Sequence, residues 1–285
     1  MTQTKIKINP FFWPIILGSI ITGQFLEIIT LFAIVIIHEL GHVFAAKSYE
    51  WRIIEIHLLP FGGMASVDPK SATSLWEEFI VAIAGPLQNF LMVILGIGLN
   101  KLGVWSNEWT TFFIQANLWI GLFNLLPIFP LDGEKLLKAF LYLLFSYRTA
   151  NHISLFISMV VALIFLSISS GVIGTMKIHI NGTILGIFFL YMNWMELKQL
   201  PYRFMKFLVT KAEEKKELNK KAAKVFIKEE QTVIQALRLM KRDQKHMFYL
   251  LSNEGEIVAV LPEDRLLHSL FDDYTLYQPI HKLVI

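Results

Sequence analysis

The amino-acid sequence predicts an α-helical polytopic membrane protein: six transmembrane helices, a hairpin after the second, and a small α/β unit at the C-terminal end. Three observations carry that expectation. Of 285 residues, 54% are hydrophobic and 17% charged, with a mean hydropathy of +0.52; a soluble domain carries roughly 25% charged residues. Six apolar stretches reach or approach the roughly 17–25 residues that a helix needs to cross a bilayer. Beyond Pro201 the composition turns charged and then mixed. Cysteine is absent, which excludes disulfides and thiolate metal sites and leaves His, Asp and Glu to hold any metal. The net charge of +3 is small, and no basic-aromatic pattern points to nucleic acid.

The expected spans run near Phe11–Gly23, Phe25–Ala46, Phe79–Leu99, Phe112–Ile128, His152–Val172 and Gly182–Trp194. The first contains Pro14, which a membrane helix tolerates near its start. It is not read as a cleaved signal, because the second span follows after almost no loop and no small-residue cleavage site is evident. Basic residues set the orientation. Lys5 and Lys7 precede the first span; Lys47, Arg52 and Lys70 follow the second; Lys135, Lys138 and Arg148 follow the fourth; Lys198, Arg203 and Lys206 follow the sixth. The alternate loops hold only Lys101 and Lys177, so both termini are expected in the cytoplasm.

Residues 51–68, "WRIIEIHLLPFGGMASVD", alternate and carry a glycine pair, which predicts a hairpin or looped strand on the cytoplasmic side. Residues 1–200 are thus read as the membrane domain. Residues 201–222 form a charged linker that includes most of the solvated stretch "TKAEEKKELNKKAAK". Residues 223–285 form the soluble unit, where Val233, Ala236, Leu237 and Met240 keep helical spacing, "MFYLL" and "IVAVL" read as strands about the turn "SNEGE", and Pro262 starts a last helix through Leu270.

Chemistry enters in the second span, as His38-Glu39-Leu40-Gly41-His42. Residues four apart share a helix face, one turn above the other, so both imidazoles can reach one metal ion. Glu39 sits about 100° around the helix, placed to work on a water at that metal without being a ligand. A carboxylate there can take a proton from the water and pass it to a leaving amine, which is peptide-bond hydrolysis. Two buried histidines satisfied by hydrogen bonds would be the plainer explanation. Yet ionisable groups at membrane depth cost about 2.5–3.5 kcal/mol each on a lenient scale, and three within five residues compound that burden.

A catalytic metal site uses three protein ligands and an open position. The fourth span runs in the same direction as the second and ends in "NLLPIFPLDG", residues 124–133. Pro127 and Pro130 remove backbone donors and unwind the helix end, and irregular backbone at membrane depth survives only where protein buries it or it lines a cavity. Asp132 therefore emerges level with the histidines as the expected third ligand. His57, His152, His179, His246, His268 and His281 read as structural or surface residues, and Glu27 lies too far up its helix.

His38-Glu39-x-x-His42 on one membrane helix, with Asn124-x-x-Pro127-x-x-Pro130-x-Asp132-Gly133 at the end of a later one, resembles the site-2 protease family of intramembrane zinc metalloproteases. The resemblance covers about Phe11 to Trp194. It implies zinc, one per chain, on His38, His42 and Asp132, and Glu39 as general base. It implies that Asn124 and Pro130 help position the substrate. It also implies that the hairpin dips into the membrane, where Phe61, Gly62 and Gly63 would pair with an extended substrate by strand addition. Ala82 to Pro86, "AIAGP", is similar to a family motif and reads here as close helix packing.

No PDZ-like domain interrupts the membrane part, and the tail is similar to a single CBS motif. The chain in this respect resembles the branch of the family that acts in sporulation. That likeness implies a membrane-associated sigma-factor precursor as substrate, inhibitory membrane proteins as partners, and a location around the forespore facing the mother-cell cytoplasm. CBS motifs work in pairs, implying a homo-oligomer, and many take ATP, although Pro262 and Asp264 depart from the nucleotide pattern. A CBS-regulated metal transporter or a non-catalytic metal-binding scaffold are the alternatives, and neither uses Glu39. Two His and one carboxylate also suit ferrous iron; Glu39 favours zinc.

Overall fold

The computed structural model describes residues 5–8, 20–59, 62–68, 73–172, 178–213, 222–271 and 276–283. Three of its long helices start directly after a serine. After α1 (Phe25–Ser48), Ser74 and Ser106 precede α2 (Leu75–Lys101) and α3 (Asn107–Asn124). Each hydroxyl accepts from the backbone N–H three residues on, Glu77 at 3.2 Å and Trp109 at 3.3 Å, satisfying a donor that a helix start leaves unpaired. Ser146 does the same for α5 (Tyr147–Ser169), which follows α4 (Asp132–Leu144). The last long helix is α6 (Ile180–Glu213).

By length and composition, α1, α2 and α5 can cross a membrane; they correspond to the second, third and fifth expected spans. The first expected span lies mostly outside the described residues. The fourth ends at Asn124 rather than Ile128, because the two prolines beyond it supply no helical N–H. The sixth forms part of the 34-residue α6.

The chain divides into two compact units, residues 1–136 and 137–285. In the first, α2 packs against both α1 and α3. Ile34, Met92 and Ala116 fill one part of that seam, and Ala46, Trp51 and Val81 another. Gly41 lets α1 and α2 close up: a Cβ there would sit 2.7 Å from the Ala84 carbonyl oxygen. Small residues at such crossings bring backbones together and substitute packing for a hydrophobic drive that lipid does not supply.

The expected hairpin is present. β2 (Arg52–Leu59) runs antiparallel to β3 (Gly62–Asp68), from Arg52 opposite Asp68 to Leu59 opposite Gly62, with an irregularity between Ile53 and Glu55. A further strand, β1 (Lys5–Ile8), adds parallel to β2 on its other side. Four residues are too few to signal a strand from their own pattern, and the partner lies some fifty positions away.

In the second unit α5 packs along α6, where the buried Ser158 hydroxyl donates to Asn193 Oδ1 at 2.6 Å. Three strands follow: β4 (Ala223–Lys228), β5 (His246–Leu251) and β6 (Ile257–Pro262), in that order, the first pair parallel and the second antiparallel. The helix expected through Met240 is one short turn, α7 (Val233–Leu237), and α8 (Glu263–His268) starts directly after Pro262 as expected. α6 runs on through residues 201–213, inside the stretch read as linker. There it sends Phe204 and Leu208 into one core with Leu237, Phe248, Leu250 and Leu266, while Lys211 donates to the Lys241 and Gln244 carbonyls at 2.8 Å each.

Candidate metal centre

Ile34, His38, His42 and Ala46 recur every fourth residue of α1, and all four are buried. That spacing makes one interior stripe, with the two imidazoles at its middle. The third group arrives from the broken end of α3. Leu131 N–H donates to the Ile128 carbonyl at 2.7 Å and Ile128 N–H to Leu126 at 2.8 Å, across a segment whose Phe129–Pro130 peptide is cis. Gly133 lies against the Leu125 and Leu126 carbonyls with no room for a Cβ. The chain can therefore double back tightly enough for Asp132, the first residue of α4, to face α1.

The convergence is close. Asp132 Oδ2 lies 2.9 Å from His42 Nε2 and 3.2 Å from His38 Nε2, and the two Nε2 atoms are 3.2 Å apart. The three residues are 2–6% exposed. Among the described residues, this is the group of His, Asp and Glu whose ligand atoms gather within 4.8 Å. Zinc bonds near 2.0–2.1 Å in tetrahedral geometry imply donor separations of roughly 3.3 Å, close to what is seen.

The protonation pattern fits a cation as well. His42 Nδ1 donates to the Val81 carbonyl at 2.7 Å, and His38 Nδ1 lies 2.6 Å from Asn89 Oδ1. As neutral imidazoles with their protons on the outer nitrogens, both would offer Nε2 lone pairs beside Asp132 Oδ2, a set of three donor atoms suited to a metal ion. Gly85 of α2 borders the same space. A Cβ there would meet the His42 ring and lie 2.7 Å from His38 Nε2. Glycine leaves that volume open beside the donors.

The remaining expected residues are placed as follows. Glu39 is buried on α1 next to His38. Asn124 ends α3, half-buried, with its amide donating to the Ile120 carbonyl at 2.9 Å. Pro130 is half-buried in the turn that leads to Asp132. Gly62 and Gly63 open β3, opposite Leu59 and Leu58; Phe61 lies outside the described residues. His152, His179, His268 and His281 are exposed, and His246 is buried against Glu263 at 2.9 Å, as structural or surface residues should be.

Sequence reasoning missed Gly85, Asn89 and Lys135, whose ammonium lies 2.8 Å from Asp132 Oδ1. The signal for two of them was available. Asn89 follows Gly85 by one helical turn in an apolar run, and a buried amide in such a run needs a partner. "AIAGP" thus does more than pack helices.

Three comparisons bear on these residues. The pattern of Peptidase family M50 matches residues 26–102 and 99–168. Over 285 residues the chain is 32% identical to stage IV sporulation protein FB of Bacillus subtilis, covering 99% of this chain and 96% of that one. It is 35% identical over 163 residues to a zinc metalloprotease of Methanocaldococcus jannaschii, covering 55% of this chain and 43% of the relative. Among solved structures, the site-2 protease from Methanocaldococcus jannaschii superposes with a TM-score of 0.53 at 30% identity, over 69% of this chain and 93% of that one. Donor geometry and sequence likeness, reached by separate routes, meet in one assignment: the chain belongs to peptidase family M50, the site-2 proteases, and is a membrane-embedded zinc metalloendopeptidase.

Proposed function

We propose that the protein hydrolyses a peptide bond in a membrane-associated sigma-factor precursor, on the cytoplasmic side of the membrane, as a step of regulated proteolysis in sporulation. The observation that carries this reading is the end-to-end alignment with stage IV sporulation protein FB. It extends through the C-terminal strands and not only over the protease region.

His38, His42 and Asp132 would hold the zinc, which when bound would supply a Lewis acid for the scissile carbonyl and lower the pKa of water toward neutrality. Glu39, buried beside His38, is placed to take a proton from the attacking water and deliver it to the departing amine. The ion pair from Lys135 to Asp132 Oδ1 leaves Oδ2 for the metal. Asn124 and Pro130, at the two ends of the turn before Asp132, position the substrate chain. The scissile segment must be extended, since a helix hides its amide groups, and β3 offers an edge: its partner is β2, and among the described residues no strand pairs with its other side. Gly62 and Gly63 leave that edge free of side-chain bulk.

Six spans with both termini cytoplasmic follow from the basic residues that flank alternate loops. Residues 223–285 act as a CBS-like unit that pairs with its copy in another subunit. The exposed apolar residues Phe226, Val258 and Val260 on its sheet support such pairing. Inhibitory membrane proteins complete the regulation by holding the enzyme until the mother cell needs it.

Co-expression with a candidate sigma precursor tests the reading. The parent chain should shorten the precursor and Glu39→Gln should not, while both carry zinc. Shortening by the Gln variant, or none by the parent, would contradict the proposal. Survival of the biological role in Glu39→Gln would point to transport or scaffolding instead.

A further inference from the structure

Asn89 and Asn117 are both fully buried, one on α2 and one on α3. They form a directional chain of amides. Asn117 Nδ2 donates to the Phe113 carbonyl at 2.9 Å, which turns Asn117 Oδ1 outward to accept from Asn89 Nδ2 at 3.2 Å. Asn89 is thereby oriented with Oδ1 toward His38 Nδ1, at 2.6 Å. A backbone carbonyl can only accept, so the sense of every later bond follows from the first. Gly121 seats the chain, since a Cβ there would lie 3.1 Å from Asn89 Cβ.

We propose that Asn89 is a positioning residue of the metal centre and that Asn117 fixes its orientation. Accepting the Nδ1 proton locks His38 in the tautomer that offers Nε2 to the metal, and holds Nε2 beside Asp132 Oδ2, at 3.2 Å. The Val81 carbonyl performs the same service for His42, but a backbone atom cannot be tuned by substitution. α2 therefore contributes no metal ligand and yet orients both histidines. The inference rests on His38 being a zinc ligand.

Two substitutions separate orientation from packing. Leucine has the heavy-atom skeleton of asparagine and accepts no hydrogen bond; aspartate accepts but brings a charge. If Asn89 merely packs, Asn89→Leu should keep zinc and Asn89→Asp should lose it. Orientation predicts the reverse order. In the full chain purified in detergent, Asn89→Leu should bind zinc about 10–100-fold more weakly by chelator competition, with a broadened visible spectrum for the cobalt-loaded form. Asn89→Asp should bind zinc at least as tightly as the parent. Asn117→Leu, which keeps the Asn89 amide but removes the partner that orients it, should fall between. In the peptidase assay Asn89→Leu should lower kcat and leave KM unchanged, because Asn89 does not touch substrate. Unaltered zinc affinity in Asn89→Leu, or equal losses in the Leu and Asp variants, would overturn the proposal. Where Asn89→Leu does not yield folded protein, Asn117→Leu decides: parent-like affinity there overturns it equally. Failure of the parent itself to bind zinc would reject the metal centre and is thus a different result.

Discussion

At the scale of single residues, the site is defined as much by an absent side chain as by those present. Gly85 →Ala would place a methyl group among the donor atoms of His38 and His42. We expect it to abolish zinc binding while leaving the detergent-solubilised protein folded, as read by metal content beside a thermal melt; a zinc-loaded alanine variant would show that the metal lies elsewhere. Glu39→Gln should behave in the opposite way, keeping zinc and losing about 10²–10⁴-fold in kcat. The three side chains that the structure brings within 4.8 Å of one another could be picked out in sequence because the pattern is local: two histidines one turn apart, and an aspartate after two prolines. What supports the ligands was not legible. Asn89 and the Val81 carbonyl reach the imidazoles across some forty to fifty residues of sequence, a pairing that only helix packing creates.

At the scale of elements, small and polar residues hold the helices where lipid cannot drive them together. The Ser158–Asn193 bond joins α5 to α6. Ser158→Ala should destabilise that pair by about 0.6 kcal/mol, and at most about 1.7, measured by unfolding in mixed micelles; no change would mean that the packing there does not use the bond. Helices α1, α2, α3, α5 and α6 and the hairpin could be read at least in part in advance, because apolar length and alternation are properties of contiguous residues, whereas α4 (Asp132–Leu144) was not foreseen. Nor were β1 and β4. Both are short and carry two lysines each, and each becomes a strand only through a partner distant in sequence. The turn 125–131 was foreseen as irregular from its prolines, but its tight closure on Gly133 depends on contacts that no periodicity records.

At the scale of the whole molecule, the metal centre lies entirely within residues 1–136, and the C-terminal strands belong to a core that α6 completes through Phe204 and Leu208. These should respond separately. Leu208→Ala removes a fully buried side chain and should destabilise the distal core by about 2–5 kcal/mol, seen as early cleavage by added protease beyond residue 201, with zinc content unchanged. Loss of zinc in that variant would mean that the distal core supports the centre. The composition of the stretch after Pro201 suggested a solvated spacer. The burial of Phe204 and Leu208 reflects a tertiary contact that a charged local sequence conceals.

The convergence of three side chains on one zinc is tested most directly by metal content. With the full chain purified in detergent and dialysed against a weak chelator, the parent and Glu39→Gln should each retain one zinc per chain, and Asp132→Ala, His38→Ala and His42→Ala should retain almost none. Full zinc occupancy in Asp132→Ala would contradict the account.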